Sequence, residues 1–186
     1  MEPMIKGYAV RDVAQLILDT PALAGALDLE MLRFAADAAR KREATVWVPR
    51  REMVALLRGI ASAHASEDDA RRALVIAGRK VCESATATFL RLLIKVLNPR
   101  MFANKFPELF RRDHLGGAIE LREVRDDALV LQLRDVEGFD HAGPFMAGWI
   151  GFALEALGLR VTEVTVSPWS KAQPGPASVD FAARWN

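Results

Sequence analysis

The sequence predicts an α+β fold in which N-terminal helices pack on a C-terminal antiparallel sheet, with two hairpins joined by a buried helix. Three observations lead there. Apolar residues recur at helical spacing up to about residue 112, and after Gly116 and Gly117 the period changes to alternation. Between two alternating regions lies Phe139 to Leu159. There Phe145, Met146, Trp149, Ile150, Phe152, Leu154 and Leu157 cover more than the single stripe of a surface helix. The 186 residues are read as one domain, helical over 1–112 and built of hairpin, helix and hairpin over 113–186.

Val10, Val13, Leu16 and Ile17 mark a short first helix that Asp19, Thr20 and Pro21 end. Asp28 caps a second helix with Met31, Leu32, Phe34, Ala35 and Ala38 on one side, and Arg40, Lys41 and Arg42 suit its negative end. Ala44 to Val48 reads as an extended connection. Pro49 then fits the first position of a third helix, which carries Met53, Val54, Leu56, Leu57 and Ile60 and stops near His64. Ser66, followed by Glu67, Asp68 and Asp69, starts a long helix. Its pattern runs through Leu74, Val81, Phe89, Leu92, Leu93, Val96 and Leu97, with Gly78 the expected break. Asn98 and Pro99 end it. Arg100 to Arg112 forms a short amphipathic helix with Met101, Phe102, Phe106, Leu109 and Phe110 inward and Pro107 inside it.

In the first hairpin, Ile119, Leu121 and Val124 share a face with Leu129, Leu131 and Leu133 across the turn Asp126-Asp127. Gly158 is the C-cap of the buried helix, Arg160 to Ser167 is the next strand, and a proline-rich loop from Pro168 to Pro176 leads to a last strand near Ser178 to Arg184.

With 25 basic against 24 acidic residues the chain has no global field to recruit nucleic acid or an anionic membrane. The one cysteine, Cys82, forms no internal disulfide, and MEPMIKGYAV lacks the apolar run of a signal peptide. The expected location is cytoplasmic. No apolar run reaches the roughly eighteen residues of a membrane span.

The run GRKVCESATATFLRLLIKVLNP, then FPELFRRDHLGGAIELREV, LVLQLRDVEGF and VTEVTVSPW, together with the opening MIKG and the segment WVPRREM, resembles a myxobacterial paralogous family of uncharacterised domains. The C-terminal two-thirds is also similar to the wider group of 4-vinyl reductase domains, TRAPP trafficking subunits and haem nitric-oxide-binding domains. That resemblance implies an interior that holds an apolar small molecule, an acyl chain or haem, or a module used in assembly. Haem-binding members carry a Tyr-x-Ser-x-Arg signature and a proximal histidine. The only tyrosine here is Tyr8, outside any such context, so haem is not carried over and no cofactor is expected. Vinyl reductase relatives place cysteines near the final hairpin, where this chain has none.

The residue types at hand offer few chemical sites. His64, His114 and His141 lack metal-ligand spacing, and Asp113-His114 and Asp140-His141 read as loop-capping pairs. Cys82 reads as a buried, inert thiol in mid-helix. No nucleophile elbow or phosphate-binding loop occurs, and Gly143, Gly148 and Gly151 serve close approach of neighbouring backbone. The remaining candidate is aromatic and soft: Phe89, Met101, Phe102, Phe106, Phe145, Met146, Trp149 and Phe152 either line a pocket for an apolar ligand or fill the core. The expected function is a non-enzymatic ligand-sensing or regulatory adaptor domain. The alternative is an interaction module that forms a homodimer or holds a partner protein without a ligand.

Overall fold

A computed structural model describes residues 2–85, 98–167, 169–172 and 175–186. The helices are α1 (Gly7–Asp19), α2 (Pro21–Ala26), α3 (Leu29–Lys41), α4 (Arg50–Ser62), α5 (Glu67–Ala85), α6 (Pro99–Asp113) and α7 (Ala142–Ala156). The strands are β1 (Met4–Lys6), β2 (Trp47–Pro49), β3 (His114–Leu115), β4 (Ala118–Val124), β5 (Ala128–Arg134), β6 (Val161–Val166) and β7 (Ser178–Trp185). The α+β expectation holds. The two hairpins, β4–β5 and β6–β7, join through a β5–β7 pairing into one antiparallel sheet of order β4-β5-β7-β6.

Local chemistry sets the helix starts, at Asp28 and Ser66 as the sequence suggests and at Asn98, where the pattern marks only the end of the preceding helix. Asp28 Oδ1 accepts from the Met31 amide at 2.8 Å, Ser66 Oγ from Asp69 at 3.1 Å and Asn98 Oδ1 from Met101 at 2.8 Å. Pro107 removes one ladder hydrogen bond without ending α6. Gly158 adopts φ +86° just past α7, and its amide donates to the Glu155 carbonyl at 2.9 Å.

Several short elements escape the sequence pattern. β1 and β2 are three residues each and β3 two, too short to display a period, yet they make a small antiparallel sheet in which Ile5 lies opposite both Val48 and His114. The first helix ends at Asp19 as expected, and Pro21 then opens the short helix α2, which no periodicity marks. Gly78 breaks nothing: α5 runs through it from Glu67 to Ala85. The expected continuation through Phe89 and Leu97 lies outside the described residues.

Glycines explain how α7 is enclosed. A Cβ on Gly78 would come within 1.8 Å of the Phe145 carbonyl oxygen, and one on Gly148 within 1.9 Å of that of Val75, so α5 and α7 touch backbone to backbone. On the opposite side, Gly143 and Gly151 face Val166 and Val164 of β6. Those valines, two residues apart, share a sheet face by ordinary alternation, and a bulge between Val161 and Glu163 shifts the register just before them, as another does between Leu121 and Glu123 in β4. The inner face of the sheet buries Leu129, Leu131, Leu133, Val179, Phe181 and Ala183. Its outer face carries polar pairs such as Gln132 to Asp180 at 2.8 Å and Arg134 to Glu120 at 2.7 Å.

Gly148→Ala is expected to destabilise the protein by about 3 kcal/mol, because backbone rather than a movable side chain occupies the space. Gly25→Ala, with nothing within 4 Å of the added methyl, should instead stabilise by roughly 0.5 kcal/mol. Urea unfolding of the two variants reads both effects.

Candidate functional site

The residues of the aromatic set divide by position. Phe102, Phe106, Phe145, Met146 and Trp149 are buried together between α6 and α7. Phe106 meets Phe102 edge-on at 5.5 Å and Trp149 edge-on at 5.2 Å. Met101 lies on the outer side of α6, 49% exposed. Phe152 sits half-buried beneath the Arg79 guanidinium, 5.4 Å from its ring centroid. Phe89 lies outside the described residues. A small cavity of about 20 Å³ remains beside Phe106, Phe145, Met146 and Trp149, room for roughly one water.

Three polar residues outside the aromatic set line this cavity too: Tyr8, Asp113 and His114. The Tyr8 hydroxyl donates to Asp113 Oδ2 at 2.9 Å, and Arg112 holds the same carboxylate through both of its oxygens, Nε to Oδ1 at 2.9 Å and Nη2 to Oδ2 at 2.5 Å. Burial, reinforced by the Asp113 charge, pushes the Tyr8 phenol well above its ordinary range. His114 stacks on Phe110 with centroids 4.1 Å apart, and its buried Nδ1 has no protein partner among the described residues. Burial pushes this imidazole down to about 3.

The reading of Asp113-His114 and Asp140-His141 as loop caps is corrected by this geometry. Asp113 closes α6 and is used by Tyr8 and Arg112. Asp140 accepts from Arg58 Nε at 2.5 Å and the Gly175 amide at 2.7 Å rather than capping α7. His141, at φ +63°, precedes α7 and accepts from Trp169 Nε1 through Nδ1 at 3.3 Å. Among the described residues no three His, Cys, Asp or Glu side chains gather to hold a metal ion. Cys82 is buried, and burial raises its thiol far above the reactive range.

A second, larger space opens beyond the Tyr8–Asp113 hydrogen bond. This cleft of about 410 Å³ is lined by Lys6, Tyr8 and Arg11 at the start of α1, Ala44 and Thr45, Ser84 and Ala85 of α5, and Arg112 and Asp113 of α6. Tyr8 and Asp113 face both spaces and form the wall between them.

No known protein family matches the chain, and no curated protein does, so the resemblance to a myxobacterial family gains no sequence support. Solved structures do match. A point variant of the Fe(II) unliganded H-NOX protein from K. algicida superposes with a TM-score of 0.67 at 15% identity, covering 98% of this chain and 97% of that one. An H-NOX protein from S. oneidensis in the Fe(II)NO ligation state gives 0.66 at 8%, covering 98% and 99%. A variant of the T. Tengcongensis H-NOX gives 0.66 at 12%, covering 98% of each chain. The fold is therefore that of H-NOX domains over nearly the whole chain, in keeping with the haem nitric-oxide-binding part of the expected resemblance.

Haem figures in that fold, since one neighbour was solved in work on haem redox potential and porphyrin distortion. The described residues do not fit it. A cofactor site needs about 300–1,000 Å³. The aromatic interior leaves about 20 Å³, and the Gly78 and Gly148 contacts hold α5 against α7. Its one imidazole is stacked face-on against Phe110. The outer cleft has the volume, but no His, Cys or Met is among its described lining residues, and the Tyr8 hydroxyl is committed to Asp113.

Tyr8 is the only tyrosine, so its titration can be read alone. Its folded pKa lies above the unfolded value of about 10, so its contribution to stability is whole below pH 10 and is lost as pH rises further. Phenolate absorbance should therefore appear together with alkaline unfolding, and Tyr8→Phe should cost about 1–2 kcal/mol. For His114 the sign is opposite: its folded pKa is depressed, so stability falls as pH drops from about 6.5 toward 3. Thermal midpoints between pH 7 and pH 4 check this, and His114→Asn should flatten the slope.

Proposed function

We propose that this chain is a non-enzymatic sensory or regulatory module built on the H-NOX fold, one that works without haem. The observation that supports this most is the filled interior. Phe106, Phe145, Met146 and Trp149 line a cavity of only about 20 Å³, and Phe102 packs edge-on against Phe106. An apolar small molecule or acyl chain meets the same obstacle in the core, since a ligand of useful size needs about 300 Å³ or more. The same dry core favours a second reading, in which the module forms a homodimer or holds a partner protein and transmits its state by contact alone. A regulatory role fits the paucity of reactive groups, with Cys82 and His114 both buried in uncharged forms at neutral pH. No helix among the described residues is long and apolar enough to cross a membrane.

Titration of the purified protein with hemin, followed by native mass spectrometry, tests the reading. No sharp Soret band and a mass equal to that of the bare chain are expected. A stoichiometric haem adduct, or an apolar ligand retained from expression, would contradict it.

A further inference from the structure

We infer that the cleft between the start of α1 and the C-terminal end of α6 binds a small organic anion. Its charged group is held by Lys6, Arg11 and Arg112, and its apolar body lies against Tyr8, Ala44 and Ala85. Three features carry this. The volume of about 410 Å³ falls within the range of small-molecule sites and far exceeds an inorganic ion. Among the described lining residues there are three cations, Lys6, Arg11 and Arg112, and one carboxylate, Asp113, and with Asp12, which pairs with Arg11 at 3.1 Å, three positive charges meet two negative. Lys6 is positioned by the Thr45 carbonyl at 2.7 Å and the Trp47 ring at 4.0 Å, neither of which neutralises it. Asp113 is already bound on both oxygens by Arg112 and Tyr8, so it serves as a brace for Arg112.

The placement also supplies a route for sensing. Tyr8 and Asp113 form the back of the cleft and the front of the inner cavity, so an anion competing with Asp113 for Arg112 acts on the ion pair that holds Asp113 in that wall. This inference names a ligand class for the sensory reading and rests on it for its biological meaning. The two fail separately, since a Soret band overturns the haem-free module and an absent anion isotherm overturns only the cleft.

Isothermal titration of the full chain with hexanoate, benzoate and inorganic phosphate tests the inference. At least one organic probe should saturate with a dissociation constant of about 1 mM or tighter. That affinity should fall about tenfold in Arg11→Gln and in Lys6→Gln, as for loss of a charged hydrogen bond, and stay unchanged in Arg122→Gln on the outer face of the sheet. Circular dichroism confirms that each variant is folded. If either is not, Ser84→Trp, which narrows the cleft, must abolish binding instead. Absence of saturation by both organic probes, equal affinity in the charge variants, or tighter binding of phosphate would overturn the inference.

Discussion

The contact on which this structure depends is the direct meeting of two helix backbones. Gly78 of α5 lies against the Phe145 carbonyl and Gly148 of α7 against that of Val75, so neither helix can move closer and neither position admits a methyl group. Once α7 is fixed there, its other side falls onto β6 through Gly143 and Gly151. A helix covered from both directions has to be apolar over most of its circumference, and from Ala142 to Ala156 only Glu155, near the end and paired with Arg79, is charged. The same seating presents Phe145 and Trp149 to Phe106 of α6, so the geometry of the helix pair also decides how little space the core retains.

Much of this was legible in the amino-acid order. Caps at Asp28 and Ser66, the paired alternations around Asp126-Asp127, and the over-apolar stretch ending at Gly158 each report a local energetic preference, and each appears in the fold. The skip from Leu121 to Val124 in the apolar alternation was the trace of a β-bulge. What could not be read depends on distant parts of the chain. Ile5 belongs to a three-residue strand whose stability comes from β2 and β3, more than forty and one hundred residues away. Gly78 looked like a helix break because its partner, α7, is far along the sequence, and only the packed structure reveals the need for bare backbone.

The site shows the same division. That Phe106, Phe145, Met146 and Trp149 belong together follows from helical spacing and apolar character, whereas Met101, one residue from Phe102, faces outward by the turn of the helix. Tyr8, Asp113 and Arg112 carried no such signal. A lone tyrosine near one end and an Arg-Asp pair at a helix end are ordinary in sequence, and become a buried hydrogen-bonded wall only when α1 and α6 meet. The kinship with H-NOX structures is one of backbone architecture. Side-chain volume then determines what such an architecture can hold, and here aromatic rings occupy the interior while the roomier, charged space lies outside the Tyr8–Asp113 contact.

The central claim is that the protein fills its own interior. Electron density around Phe106, Phe145 and Trp149 in a high-resolution crystal structure of the purified protein tests it most directly. The account predicts ring edges in van der Waals contact, with density for at most about one water beside His114. Planar or elongated density separating α6 from α7 would contradict it.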